Sequence, residues 1–221
     1  MRRITGTVFV SLDGVMQAPG APTEDPTGGF ELGGWLPHVM DETIGKRIDA
    51  LFGGDFDLLL GRRTFDIFAA YWPFAEGENK ALGAKFDRAA KYVVSHGNAP
   101  LEWQNSHRVG DLKALADIKR ADGPDLIIQG SSTLYPQLLE KGLLDQLTLM
   151  IFPVILGSGK RLFDDRSPSG LMRMVEHEVT SSGNIIATYE PNGEVQVGSF
   201  LSSEPSKAEL ERRKKMDAGT W

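Results

Sequence analysis

Apolar residues recur along this chain in two rhythms, short unbroken runs and positions spaced at helical intervals. Ile4 to Val10 is β-branched and apolar, which predicts an opening strand. Residues 13–34 are rich in Gly and Pro and carry no periodicity, so they read as a long loop, a feature often tied to function in compact domains. From Asp41 the rhythm turns helical, with Ile44, Ile48, Leu51 and Phe52 on one face and Gly53-Gly54 as the stop. Phe56 to Leu60 predicts a buried parallel strand. The turn Gly61-Arg62-Arg63-Thr64 then opens a helix carrying Phe65, Phe68, Ala69 and Trp72, stopped by Pro73. Tyr92-Val93-Val94 is another short strand, and Asp111 caps a helix with Leu112, Leu115 and Ala116 that ends by Gly123-Pro124. Leu126-Ile127-Ile128 runs into Gly130-Ser131-Ser132-Thr133 and a helix bearing Leu134, Leu138 and Leu139. Thr133 as N-cap puts Pro136 in the first turn, where its missing N–H is tolerated. Leu147 to Ile155 is the last core strand, and Arg173 to Val179 and Ile185 to Tyr189 form an antiparallel pair around Ser181-Ser182-Gly183-Asn184.

Repeated strand–helix–strand units predict an α/β fold, a mostly parallel central sheet flanked by helices, with an antiparallel C-terminal strand pair. A chain of 221 residues suits one large domain, expected over residues 1–192. Residues 193–221 form a polar extension in which 204–217 have the makings of an exposed charged helix. That helix reads either as a solvated tail or as a docking element for a partner subunit.

Composition narrows the function classes. Hydrophobic residues at 41% and charged residues at 24% are ordinary for a globular protein, and the net charge of −6 gives no reason to expect nucleic acid or an anionic membrane. With no cysteine there are no disulfides, zinc–thiolate sites or cysteine nucleophiles. Asp13 and Gly14 arrive too soon for a secretory leader, and no apolar run approaches the roughly 18 residues of a membrane span. A cytoplasmic location is the expectation. His38, His96, His107 and His177 lack metal-ligand spacing, and no serine-hydrolase elbow is present.

The candidate chemistry lies in two strand-to-helix turns. In Gly61-Arg62-Arg63-Thr64 a helix start offers free N–H groups, Gly admits close approach, and two arginines add charge suited to a phosphate, NADP being favoured over NAD. Gly130-Ser131-Ser132-Thr133 follows a buried strand too, and its small side chains leave amides open to a pyrophosphate. Each alone reads equally as a surface turn or capping turn. Together, in a parallel sheet, they share the carboxyl edge where open α/β folds bind ligands. Neither the G-x-G-x-x-G fingerprint nor the P-loop pattern occurs. Gly157-Ser158-Gly159-Lys160 reads as a simple loop or as a lining of the site.

Four stretches in order, Ser11-Leu12-Asp13-Gly14, Leu60-Gly61-Arg62-Arg63-Thr64-Phe65, Ile128-Gln129-Gly130-Ser131-Ser132-Thr133-Leu134 and Phe152-Pro153-Val154-Ile155-Leu156-Gly157, resemble the dihydrofolate-reductase-like superfamily. The nearer likeness is to the reductase domain of bacterial riboflavin biosynthesis and its stand-alone relatives. The resemblance implies NADPH as cofactor: adenosine phosphates on Gly61, Arg62, Arg63 and Thr64, the adenine or ribose side near Val94 and Ser95, and pyrophosphate on Gly130, Ser131, Ser132, Thr133 and Leu134. It places the nicotinamide near Val10, Asp13, Gly14 and Val15. Folate reductases carry one carboxylate on the helix before the second strand; here Asp41 or Glu42 is the match, or else an ordinary helix-capping acid. Asp13 is a second carboxylate candidate, or an Asp-Gly turn residue. Trp35, with Leu36 and His38, forms a pocket wall for a flat substrate, or Trp35 is a core anchor.

The expected reaction is hydride transfer from NADPH to a C=N or C=O carbon of a small heterocycle, pyrimidine-, pterin- or riboflavin-precursor-like, with a proton from Asp13, Asp41 or solvent. A cofactor-binding module without turnover, or a true dihydrofolate reductase, are the alternatives. With no zinc motif, a fused deaminase is not expected. A homodimer is implied by the resemblance.

Overall fold

The computed structural model describes residues 1–165, 167–201 and 204–221. An eight-stranded sheet runs through it. Its strands are β1 (Ile4–Ser11), β2 (Phe56–Gly61), β3 (Lys91–Val94), β4 (Ser106–Val109), β5 (Asp125–Ile128), β6 (Gln146–Phe152), β7 (Met172–Val179) and β8 (Ile185–Pro191). The helices are α1 (Glu42–Leu51), α2 (Arg62–Tyr71), α3 (Lys80–Arg88), α4 (Leu112–Arg120), α5 (Leu134–Glu140) and α6 (Lys207–Asp217).

The sheet order is β4-β3-β2-β5-β1-β6-β8-β7. All pairings from β4 to β6 are parallel; β6 with β8 and β8 with β7 are antiparallel. Side chains alternate faces along a strand, and β2 shows the consequence. Leu58 and Leu60 enter a core with Phe65 of α2 and Phe86 of α3, whereas Leu59 joins Leu115 of α4 and Leu138 of α5. Both faces are covered, so all six residues of β2 are buried.

The strands and most helices follow the apolar pattern. Two elements escape it. α3 carries Gly83 in its middle, a poor helix residue kept because a Cβ there would meet the Trp72 carbonyl oxygen at 2.6 Å. β4 is an edge strand with two of its four residues exposed and one half-buried, so it shows no apolar run. Conversely, β6 stops at Phe152 rather than Ile155: Pro153 cannot donate to the ladder, and Ile155 is 72% exposed.

α1 begins on Asp41, whose carboxylate accepts from the Ile44 N–H at 3.0 Å. Thr133 precedes α5 but makes no capping bond, because its hydroxyl turns to Ser131 Oγ at 3.0 Å. α6 is amply charged, has no buried residue, and starts three residues later than the sequence suggests. Ser202 and Ser203, inside the expected extension, lie outside the described residues.

The loop after β1 is built as a solid body. Gln17, only 4% exposed, donates from Nε2 to the Asp25 and Thr27 carbonyls at 2.9 and 2.8 Å and accepts the Lys160 N–H at 2.9 Å. Lys160 Nζ closes the clasp on the Asp25 carboxylate and on Thr27 Oγ1. A buried side chain with every polar atom paired fixes a loop that glycine and proline alone would leave loose.

Candidate functional site

β2 and β5 are neighbours, Leu59 opposite Ile128, so the turns that follow them emerge side by side at the carboxyl edge. Gly61 N–H donates to the Gly130 carbonyl at 3.4 Å. A Cβ at Gly61 would collide with Ser131 Oγ, and one at Gly130, where φ is +145°, would meet Thr64 Oγ1 at 2.8 Å. The peptide between Gly130 and Ser131 is cis. Glycine is needed at both positions for the turns to touch.

One cleft of about 1840 Å³ opens over them. Gly61, Arg62, Arg63, Thr64, Ser95, Gly130, Ser131, Ser132, Thr133 and Leu134 all line it. The structure thus brings together ten of the residues singled out in the sequence. Two helices, α2 and α5, start at this rim and turn their unpaired N–H groups and positive dipole ends toward it.

The two arginines have different jobs. Arg62 Nε holds both Asp66 carboxylate oxygens at 2.9 and 3.0 Å, and its Nη1 reaches the Ala99 carbonyl at 2.8 Å. It is neutralised by its neighbour and tied to the loop after β3. Arg63 is exposed, and among the described residues its side chain has no hydrogen-bonding or ionic partner. Gln129, also lining the cleft, has a buried Nε2 with no partner. A buried amide donor left open costs about 1–3 kcal/mol unless a ligand supplies the acceptor. These groups fit a phosphorylated dinucleotide.

Five expected site residues stand elsewhere. Val10 is a core residue, 4% exposed, packed in the layer under α4 and α5. Gly14 makes the tight turn back to β1, with φ of +80° and its N–H on the Ser11 carbonyl. The strand and its loop face the cleft instead through Thr7, Val8 and Phe9 and then Met16, Gln17 and Ala18. Trp35 is a core anchor, 8% exposed, its indole N–H on the Gln17 carbonyl at 3.0 Å and its ring edge-on to Phe152.

Neither carboxylate assigned as proton donor lines the cleft. Asp13 accepts from Ser11 Oγ at 2.6 Å and from the Leu156 and Gly157 N–H groups at 3.0 and 2.9 Å. The Ser11 hydroxyl, ahead of the backbone donors, lowers its pKa to about 2. Asp41 caps α1 and accepts from Thr180 Oγ1 and Asn184 Nδ2; the Thr180 bond, above all, holds its carboxyl below the usual range. Both are ionised fasteners. Gly159 and Lys160, from the loop left open above, do line the cleft, together with Arg161.

Sequence reasoning missed Glu24. It lines the cleft from the loop after β1 and accepts the Gly20 and Ala21 N–H groups on Oε2 at 2.6 and 3.2 Å. Burial pushes its carboxyl up, against the lowering effect of those two bonds. Three other acids line the cleft: Asp25 is paired with Lys160, Asp66 with Arg62, and Asp164 has an interaction of its own as well. Glu24 sits in an aperiodic stretch, so no pattern marks it. No group of metal-ligating side chains and no helix long and apolar enough to cross a membrane occurs among the described residues.

Comparison with known proteins places this geometry. Residues 2–186 match the family model of the RibD C-terminal domain. YyaP of Bacillus subtilis (strain 168) is 28% identical over 201 residues, spanning 87% of this chain and 96% of that protein. A putative riboflavin biosynthesis protein from Shewanella sp. PV-4 superposes with a TM-score of 0.62 at 20% identity, over 86% of this chain and 99% of that one. A pyrimidine reductase-like protein from Corynebacterium diphtheriae gives 0.54 at 15% identity, over 87% and 93%. Dihydrofolate reductase from Enterococcus faecalis, solved with NADP(H), gives 0.54 at 15%, over 86% and 96%. The fold is the dihydrofolate-reductase-like one.

Proposed function

The chain belongs to the RibD C-terminal domain family, and from that premise we propose that it is an NADPH-dependent reductase of a small organic substrate. The family and its structural neighbours are those of oxidoreductases in general. The observation that carries the finer reading is the contact between the Gly61 and Gly130-Ser131 turns inside one cleft.

When bound, the dinucleotide supplies a hydride from C4 of its nicotinamide. The chain does the rest. The turn Gly130 to Thr133, ahead of α5, would hold the pyrophosphate on its main-chain donors, the Leu134 N–H being taken by the Ser131 carbonyl at 3.0 Å, and Gln129 Nε2 would gain an acceptor there. Arg63, whose guanidinium has no partner among the described residues, would hold the 2′-phosphate, while Arg62 holds the neighbouring loop through Ala99. Ser95, 9% exposed, stands on the adenosine side. The clasped loop around Gln17 forms one fixed wall of the cleft. Glu24, with its carboxyl raised by burial and no ion pair among the described residues, is the group we assign to deliver the proton.

A thermal-shift comparison of NADPH, NADH and FMN tests the cofactor: selective stabilisation by NADPH supports the reading, and stabilisation by FMN alone overturns it. A homodimer and a cytoplasmic location, anticipated from the sequence, belong to the same proposal. Sedimentation velocity at micromolar concentration checks the first, and fractionation of the source cells the second.

A further inference from the structure

Thr7 reaches the floor of the cleft from the middle of β1. Side chains alternate along a strand, so Thr5, Thr7 and Phe9 share one face. Phe9 packs there against the core of Ile44, Met150 and Phe152, which sets this face toward α1. Thr7 is 5% exposed. It also lines a smaller pocket of about 200 Å³ beneath the end of α1, together with Arg47, Ala50 and Leu51 of that helix. Among the described residues no other borders both spaces.

Strand register sets Thr7 in a row of polar side chains. It stands opposite Thr148 of β6, which stands opposite Thr188 of β8. Both are buried, and their hydroxyls bond each other at 3.0 Å. Thr188 lies opposite Glu176 of β7, whose two carboxylate oxygens accept from Arg47 of α1 at 3.0 and 2.6 Å. On the other side Gly6 pairs with Ile128, so Gln129 comes next to Thr7 and lines the cleft with it. Thr148, Thr188 and Glu176 are thus engaged, and Gln129 belongs to the dinucleotide seat. The Thr7 hydroxyl has no hydrogen-bonding partner among the described residues. A buried hydroxyl left open costs free energy, and valine would fill the same volume without that cost.

We infer that Thr7 is a specificity-determining residue, its hydroxyl binding the polar edge of the substrate on the cleft floor beneath α1. This rests on the reductase reading above and names one group that recognises the substrate. Position separates Thr7 from the phosphate seat: the phosphate groups gather where α2 and α5 begin, whereas Thr7 faces α1. Glu24, Lys160 and Arg161 reach the same cleft from its loop side, so the hydroxyl is one contact among several. A hydroxyl both donates and accepts, which suits a ring amide, where C=O and N–H stand side by side. A site that offers such a bond rejects a molecule of the same shape that cannot make it, because the buried hydroxyl is then left unpaired.

The test is equilibrium binding to the NADP⁺-saturated protein of two flat probes of similar size, quinazoline-2,4-dione and naphthalene, the second lacking the amide edge. Thr7→Val is expected to weaken the dione at least about fivefold and to leave the affinities for naphthalene and NADP⁺ unchanged. Thr7→Ser, which returns the hydroxyl, should recover dione binding to within about twofold of the unmodified protein. Thr148→Val, at a position that does not line the cleft, should leave dione binding as it was. Thr7→Ala replaces the valine variant should that one fail to fold. Equal dione affinity with and without the hydroxyl overturns the inference and assigns Thr7 to the smaller pocket. Failure of the unmodified protein to bind the dione, or a loss of NADP⁺ affinity equal to the loss for the dione, overturns it as well. A protein that binds the dione in a Thr7-dependent way but neither NADP⁺ nor NADPH would overturn the reductase reading and leave the role of Thr7 supported.

Discussion

Gly61 stands so close to Ser131 that the smallest side chain at position 61 would overlap the serine hydroxyl. The two residues lie at the ends of neighbouring parallel strands, and their turns form one surface only because Gly61 has no Cβ. Gly61→Ala should push Ser131 and the start of α5 outward, with an overpacking cost of about 1–3 kcal/mol. The expected result is a lower Tm together with loss of the NADPH-induced thermal shift. A normal shift at a normal Tm would show that the two turns do not act as one seat.

The arginine pair separates positioning from recognition. Arg63 has no partner among the described residues, so Arg63→Ala removes a charge-assisted contact to the 2′-phosphate, worth about 2 kcal/mol or roughly thirtyfold in NADPH affinity. NADH, which lacks that phosphate, should be unaffected. Arg62→Ala instead frees Asp66 and the Ala99 loop, and should weaken NADPH and NADH alike. Titrating both cofactors into both variants distinguishes the two roles.

What was legible in the sequence depended on burial. β2, β5 and the glycine turns after them were readable because strands covered on both faces must be apolar and tight turns must be small. β4, at the sheet edge, and α3, with a glycine demanded by Trp72, obey constraints set by distant residues. The site splits the same way. Its phosphate-facing half follows from local turn chemistry. Its loop half does not, because Gln17, Asp25 and Lys160 meet only in space. Asp13 and Asp41 have the residue type of acids for catalysis, yet each finds donors that keep it ionised, and sequence alone does not reveal those donors.

Asp13 tethers the turn after β1 to Leu156 and Gly157, so its removal should be felt as stability before chemistry. Its folded pKa lies below the ordinary carboxylate value of 3.8, at about 2. A depressed carboxylate contributes stability that is complete above 3.8 and lost as pH falls toward 2. Asp13→Asn should lower stability by about 1–2 kcal/mol at neutral pH and flatten the acid limb of Tm against pH. Under the structural role kcat changes little at a temperature where the variant is folded; a collapse of kcat with Tm unchanged would restore Asp13 to the reaction.

Glu24 carries the opposite sign. Burial raises its carboxyl above the ordinary 4.5, so the folded chain holds this proton to higher pH than the unfolded chain does. Stability from this group therefore falls as pH rises from 4.5 through the raised folded value, and ionised Glu24 is a cost at neutral pH. Glu24→Gln keeps an acceptor for the Gly20 and Ala21 N–H groups and removes that cost, so Tm at pH 7 should hold or rise. The same change removes the proton. A positioned general acid is worth about 10²–10⁴ in rate, and kcat should drop within that range while NADPH binding persists. In the unmodified protein kcat/KM should decline as pH rises past the raised pKa, a limb that Glu24→Gln abolishes. A variant that keeps both its rate and its alkaline limb would leave solvent, rather than Glu24, as the source of the proton.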